Sequence, residues 1–170
     1  MTKHTLQPPS EYQKKICRYF AESCVFTNKD EYSRRSQSNT KKIVKDIYYG
    51  KVAECMVFDF LLKKGKLSLP PDFMLYSKKY KSFDSDLRID NSNIHIKSCI
   101  NGGKFPNSWL FQPYDTLTTS PSPKDFLALV VLSAASYAYF LPALNAIDLY
   151  QEPLKKSLNK KVIYEKKLLR

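Results

Sequence analysis

Apolar residues recur at helical spacing in two segments of the first third of the chain. Ile16, Tyr19, Phe20 and Cys24 follow Ser10, a residue type that caps helix starts, and predict a helix over 11–25. A longer run predicts a second helix over 41–64, with Ile43, Ile47, Phe58 and Leu61 along one stripe. Thr40 is its expected cap and Gly65 its stop. Glu54 falls inside that stripe, seven residues after Ile47 and four before Phe58. A carboxylate on a buried face needs a counter-charge, a proton or a metal. Gly50, a turn earlier on the same side, leaves room for close approach by a backbone or a ligand.

After the break at "LSLPPD" the period changes from helical to alternating. The segments "FMLYSKK" (73–79), "SDLRID" (85–90) and "IHIKSCI" (94–100) predict three strands, the last two joined through "NSN" as a hairpin. Phe83, Leu87 and Ile89 alternate with Asp84, Asp86 and Arg88; Ile94, Ile96 and Ile100 alternate with His95 and Lys97. The isoleucines claim the core face, so His95 and Lys97 share the other, about 6–7 Å apart along the strand. With the hairpin paired, Asp86 lies beside them. With the long helix packed over that same face, Glu54 joins the group. Asp84 shares a face with Asp86, but Asp86 leads directly into "LRI". Asp72, in the literal "PPD", precedes the first strand.

Further on, "WLFQ" is a short extended piece, with one helical turn expected after Asp115. "FLALVVLS" is a continuous apolar strand of the kind buried on both faces, and "SYAYFLPA" pairs with it as a hairpin. Residues 1–8 read as a loose arm. Residues 150–170 form a basic tail whose pattern fits strand or helix. With no internal repeat or long linker, the 170 residues are expected to form a single domain.

Composition sharpens this picture at two points. The formal charge is +12, from 28 Lys and Arg against 16 Asp and Glu, which favours a polyanionic partner, nucleic acid before membrane. The four cysteines, at 17, 24, 55 and 99, form no CxxC pair, so a zinc site is not expected. They read as packing thiols of a reducing, cytoplasmic setting. Neither a signal-peptide core nor a membrane-length apolar run is found.

Carboxylates and a neutral imidazole bind divalent cations, which polarise a phosphoryl oxygen and lower the pKa of a bound water. A lysine beside them orients that water or stabilises charge on the phosphate. On Glu54 in "KVAECMVFDFLLKKG", Asp86 in "FDSDLRI" and His95-Ile-Lys97 in "IHIKS", the chain resembles the PD-(D/E)XK nuclease superfamily over residues 40–133. The resemblance implies a restriction-endonuclease-like α/β (α+β) fold, a mixed central sheet flanked by helices. It implies Mg²⁺, with Mn²⁺ as a substitute, bound by Asp86, His95, the main-chain carbonyl of Ile96, and Glu54 directly or through water. Lys97 would position the attacking water, with Gln112 near the site. His95 departs from the family pattern, which has an acid at that position. Losing that charge weakens magnesium binding and shifts preference toward manganese.

The activity implied is metal-dependent hydrolysis of DNA, in first place by a small restriction-type endonuclease acting on duplex as a homodimer, with no membrane partner. The same core serves homing or phage-type nucleases, Holliday-junction resolvases and inactive nucleic-acid-binding proteins. Candidate nucleic-acid contacts are Arg34, Arg35, Lys78, Lys79, Lys81, Arg88 and Lys104. Lysines neutralise phosphates, and arginines also make bidentate contacts.

Overall fold

The computed structural model describes residues 1–28, 39–66, 68–76, 85–103, 105–155 and 157–169. Both long helices form where periodicity placed them. α1 (Glu11–Thr27) starts at Ser10, whose hydroxyl accepts the Gln13 N–H while the Gln13 side chain accepts the Ser10 N–H. This reciprocal capping box satisfies two donors at once. α2 (Thr40–Lys63) is capped one residue earlier than expected, by Asn39, whose side chain accepts the Lys42 N–H at 3.0 Å. It stops before Gly65, which takes φ +69°.

Among the described residues five strands form a mixed sheet: β1 (His4–Thr5), β2 (Leu87–Ile89), β3 (Ser92–Ile100), β5 (Asp125–Leu132) and β6 (Tyr137–Pro142). Their order is β1-β6-β5-β3-β2. β3 and β5 run parallel, and every other neighbouring pair is antiparallel. The expected hairpins, β2–β3 and β5–β6, are both present. Between β3 and β5 the chain forms β4 (Ser108–Phe111) and the short α3 (Thr116–Thr119), capped by Asp115. After β6 come α4 (Ala143–Ala146), a 3-10 turn (Ile147–Leu149), β7 (Lys161–Tyr164) and α5 (Glu165–Leu168). The basic tail thus contains both a strand and a helical turn. β7 pairs antiparallel with β4 as a separate ribbon.

The unbroken apolar run of β5 is explained by its central place. Ala128, Val130 and Leu132 face a core shared with Val52, Ala53 and Met56 of α2. Leu127, Leu129 and Val131 face a second core with Trp109 and Phe111 of β4. One side of the sheet therefore carries α1 and α2, and the other carries the β4–β7 ribbon and short helices. No helix among the described residues is long and apolar enough to cross a membrane.

Three expectations are corrected. Residues 1–8 are not a loose arm. β1 hydrogen-bonds the edge of β6, Leu6 is buried, and the Met1 ammonium donates to the Leu168 carbonyl at 3.1 Å. Phe73 to Tyr76 forms no strand. Asp72 turns the chain there, accepting the Met74 N–H at 2.8 Å and the Tyr76 hydroxyl at 2.7 Å, while the rest of that segment lies outside the described residues. Ile100, expected in the core, is half exposed at the end of β3.

Candidate functional site

Glu54 lies on α2 among buried neighbours and is itself almost covered. Its Oε2 accepts from the Lys51 ammonium at 2.6 Å, with side-chain exposures of 12% and 14%. The spacing is one helical turn, and Lys51 also sits over the rings of Phe20 and Phe73, at 5.0 and 5.6 Å. Burial pushes the Glu54 carboxyl up to about 7. Lys51 opposes this, and the negative charges of Asp86 and then Asp72 add to it. Gly50, on the same helix, has open space where a Cβ would stand, so no backbone closes on it.

Asp86 stands just before β2. Leu87 pairs with Ile94, and there the β2–β3 register ends. At the next step the Asp86 carboxylate replaces the missing strand: its Oδ2 accepts the Ile96 N–H at 2.6 Å. The acid of the hairpin is thereby tied to the centre of the His95-Ile96-Lys97 tripeptide and lies within the electrostatic reach of Glu54.

His95 and Lys97 take the other side. Ile94 and Ile96 pack in the α2 core, so their alternating neighbours face the ribbon side. The long helix covers the isoleucine face, not the His95–Lys97 face that would have carried Glu54 to them. Lys97 places its ammonium 5.6 Å from the Phe111 ring centroid. His95 Nε2 is 3.3 Å from Oδ1 of Asp125, at the start of β5. Asp125 also accepts from Asn93 Nδ2 and the Ser122 N–H, each at 2.9 Å. Burial works against its charge, but these hydrogen bonds and His95 together hold its carboxyl below the ordinary value. An acid at position 95 would have stood against Asp125, which gives a physical reason for the imidazole there.

Gln112 follows β4 with an exposed side chain, and its carbonyl accepts the Asp115 N–H, an arrangement that shapes the turn into α3. Arg88 is exposed on β2. Arg34, Arg35, Lys78, Lys79, Lys81 and Lys104 lie outside the described residues, as does Asp84. Among the described residues, no group of three or more His, Cys, Asp or Glu side chains is arranged to hold a metal ion. Sequence reasoning misses Lys51 and Asp125. Lys51 carries a signal, a cation one turn before an acid in an apolar stripe. Asp72, named in the sequence ahead of the first predicted strand, adds its charge at Glu54. Asp125 meets His95 only through a parallel register.

The raised carboxyl of Glu54 makes a measurable prediction. With a folded value near 7 against 4.5 for the ordinary group, the folded chain holds the Glu54 proton more tightly. Stability from this group is fully present below about pH 4.5 and is lost as pH rises through about 7, a decline on the order of 3 kcal/mol. Urea midpoints taken across that window should fall for the native chain and lose this fall in Glu54→Gln. Equal slopes in the two would mean that Glu54 titrates normally.

No protein-family model, no curated protein and no solved structure matches this chain.

Proposed function

We propose that the chain is a metal-dependent DNA endonuclease that hydrolyses phosphodiester bonds, acting on duplex as a small restriction-type homodimer. The observation that carries this reading is the Asp86–Ile96 hydrogen bond, 2.6 Å long. It fixes an acid at the point where β2 leaves β3, beside the His95-Ile96-Lys97 tripeptide and within reach of the Glu54 charge. Two carboxylates whose charges repel in the absence of a cation suit a hard divalent ion, and Mg²⁺ commonly binds through one or two carboxylates plus water. Glu54 and Asp86 would hold it, with the Ile96 carbonyl as a further oxygen. When bound, the ion polarises a phosphoryl oxygen and generates a nucleophilic water.

The chain's own groups supply the rest. Among the described residues no strand pairs with the outer edge of β3 beyond Ile94, so both sheet faces meet at that edge. A phosphate seated there has Asp86 and Glu54 toward α2, and Lys97 toward the ribbon. Lys97 offers positive charge to the phosphate or holds the attacking water. His95, oriented by Asp125, stands two residues from Lys97 on the same strand face as a proton acceptor and not as a metal ligand. Net positive charge draws the backbone in, with a strong dependence on salt.

A catalytically inactive DNA-binding protein is the second reading. It is favoured by the engagement of Glu54 with Lys51 and of His95 with Asp125. Incubation of supercoiled plasmid, linear duplex and a four-way junction, each with Mg²⁺ and with Mn²⁺, separates the two. Cleavage that chelation stops supports the endonuclease, and preference for the junction would make it a resolvase. Salt-sensitive binding without cleavage under either metal would leave only the inactive reading.

A further inference from the structure

A cleft of about 320 Å³ opens between α2, the amino-terminal segment at Leu6 to Pro9 and the carboxyl ends of β3 and β5. Val52, Met56, Leu132, Tyr48, Tyr49 and Lys14 are among the residues that line it. The carboxyl ends of parallel strands are a recurrent place for ligand sites in α/β sheets. We propose that this cleft receives one unpaired base of a single-stranded DNA segment, stacked on a tyrosine, with the flanking phosphates held by Arg18 and Lys45. The inference rests on the nucleic-acid reading above and adds a substrate feature to it.

Four observations select this occupant. The rings of Tyr48 and Tyr49 are 5.2 Å apart and tilted by 66°, so a planar base can stack on one while the other walls it in. Each ring already carries a cation: the Arg18 guanidinium is 5.9 Å from the Tyr48 centroid and the Lys45 ammonium 5.9 Å from that of Tyr49. Aromatic rings interleaved with cations are the working parts of single-strand binding surfaces, where stacking tolerates any base and cations track the backbone. On the helix segment from Lys41 to Lys51, Lys42 pairs with Asp46 and Lys51 with Glu54, so Lys41 and Lys45 are the cations whose charge this segment adds. Lys14 is less available, since Glu11 pairs with it at 2.6 Å. Among the described residues neither tyrosine hydroxyl has a hydrogen-bond partner, so both remain available to the edge of a base or a sugar.

The test uses an oligodeoxythymidylate carrying a single 2-aminopurine, read by anisotropy and by quenching of the aminopurine. The native chain should bind it and quench it. Tyr49→Ala should weaken binding about tenfold and abolish quenching, and Tyr49→Phe should retain both. Ala134→Trp, on the exposed turn after β5 that borders the cleft, fills the cavity without entering the core and should have the same effect as Tyr49→Ala. Duplex binding should stay at the native level in all three. Unchanged oligonucleotide affinity and quenching in both Tyr49→Ala and Ala134→Trp would overturn the proposal. A native chain that binds duplex but not the oligonucleotide sinks this inference alone. A chain that binds neither sinks the nucleic-acid reading as well.

Discussion

Asp86→Asn is expected to fold as the native chain does and to lose cleavage by about a hundred- to a thousandfold, the range seen when one preorganised electrostatic group is removed from a site. The choice of asparagine matters. Asp86 has two functions that the structure allows to be separated. Its Oδ2 caps the Ile96 N–H at 2.6 Å, in place of the strand that ends at Leu87. Its charge acts on Glu54 and, in the proposed reaction, on a divalent cation. Asparagine keeps a carbonyl oxygen for the amide and removes the charge. Alanine removes both and leaves the Ile96 amide without its acceptor, a cost of about 1–3 kcal/mol if water does not replace it. Cleavage lost in Asp86→Asn with an unchanged urea midpoint assigns the loss to charge. The same charge removal should lower the pKa of Glu54, because one repulsive neighbour is gone. Full activity in Asp86→Asn, measured on plasmid with Mg²⁺, would place the chemistry elsewhere. Lys97→Ala provides the second arm: it leaves Asp86, Glu54 and the Ile96 cap untouched, and should reduce cleavage while leaving DNA binding near native.

Much of the fold could be read from the residues, and the reasons for the exceptions are physical. The two helices were legible because Ser10 and Gly65 mark a start and a stop around apolar positions of helical period. The buried strand was legible because only a strand with cores on both faces, as β5 has, needs seven apolar residues in a row. Phe73 to Tyr76 was misread since alternation alone cannot reveal that Asp72 will bond the chain back on itself. β1 was invisible because a two-residue strand has no period; it exists because β6 offers an open edge. For the candidate site, local pattern gave the occupants of each strand face but not which face the helix would cover. That choice is made by tertiary packing, and here Ile94 and Ile96 take the α2 side. The same limit hid Asp125. Its meeting with His95 depends on the β3–β5 register, in which Asn93 pairs with Asp125 and His95 with Leu127 across a connection of 24 residues, 101–124. Nothing local to either strand encodes that register.

Glu165→Ala is expected to cost about 3 kcal/mol, the largest effect on stability foreseen for a single partly exposed side chain in this fold. Glu165 Oε1 accepts the hydroxyls of Tyr137 and Tyr139, at 2.7 and 2.8 Å, and Oε2 accepts Asn107 Nδ2 at 2.8 Å. Its own N–H donates to the Asn107 carbonyl at 2.9 Å. Tyr137 and Tyr139 are two residues apart on β6, so their side chains share the ribbon-side core, where Tyr139 also meets the Trp109 ring edge-on. Glu165 follows β7, so the carboxylate ties the ribbon to the sheet. Lys3, its ammonium 3.5 Å from the Tyr137 ring, brings the amino-terminal segment into the same cluster. Burial opposes the Glu165 charge, but the hydrogen bonds from Tyr137, Asn107 and Tyr139 outweigh it and hold the carboxyl below its ordinary value. Burial and Glu165 in turn push the Tyr137 hydroxyl up to about 12. The sign of the pH effect follows. A depressed carboxyl contributes stability above its unfolded value of 4.5, and that contribution is lost as pH falls through the folded value. Glu165→Ala takes the acceptor from two part-buried hydroxyls. Glu165→Gln keeps an acceptor for the tyrosines but opposes one amide donor to another at Asn107, and should cost about 1 kcal/mol. Urea melts at neutral pH and below pH 4.5 test all of this. On going from neutral pH to below 4.5 the native chain should lose stability relative to Glu165→Gln, the Glu54 contribution being common to both and cancelling. A double-mutant cycle with Tyr139→Phe should return a coupling of about 1 kcal/mol or more. An alanine variant within about 0.5 kcal/mol of native would mean that the ribbon is held by its apolar contacts alone. Because β4 carries Phe111, the ring that faces Lys97, any loosening of the ribbon by Glu165→Ala should also appear at the candidate site. It would be seen as a loss of cleavage that Tyr139→Phe reproduces in part.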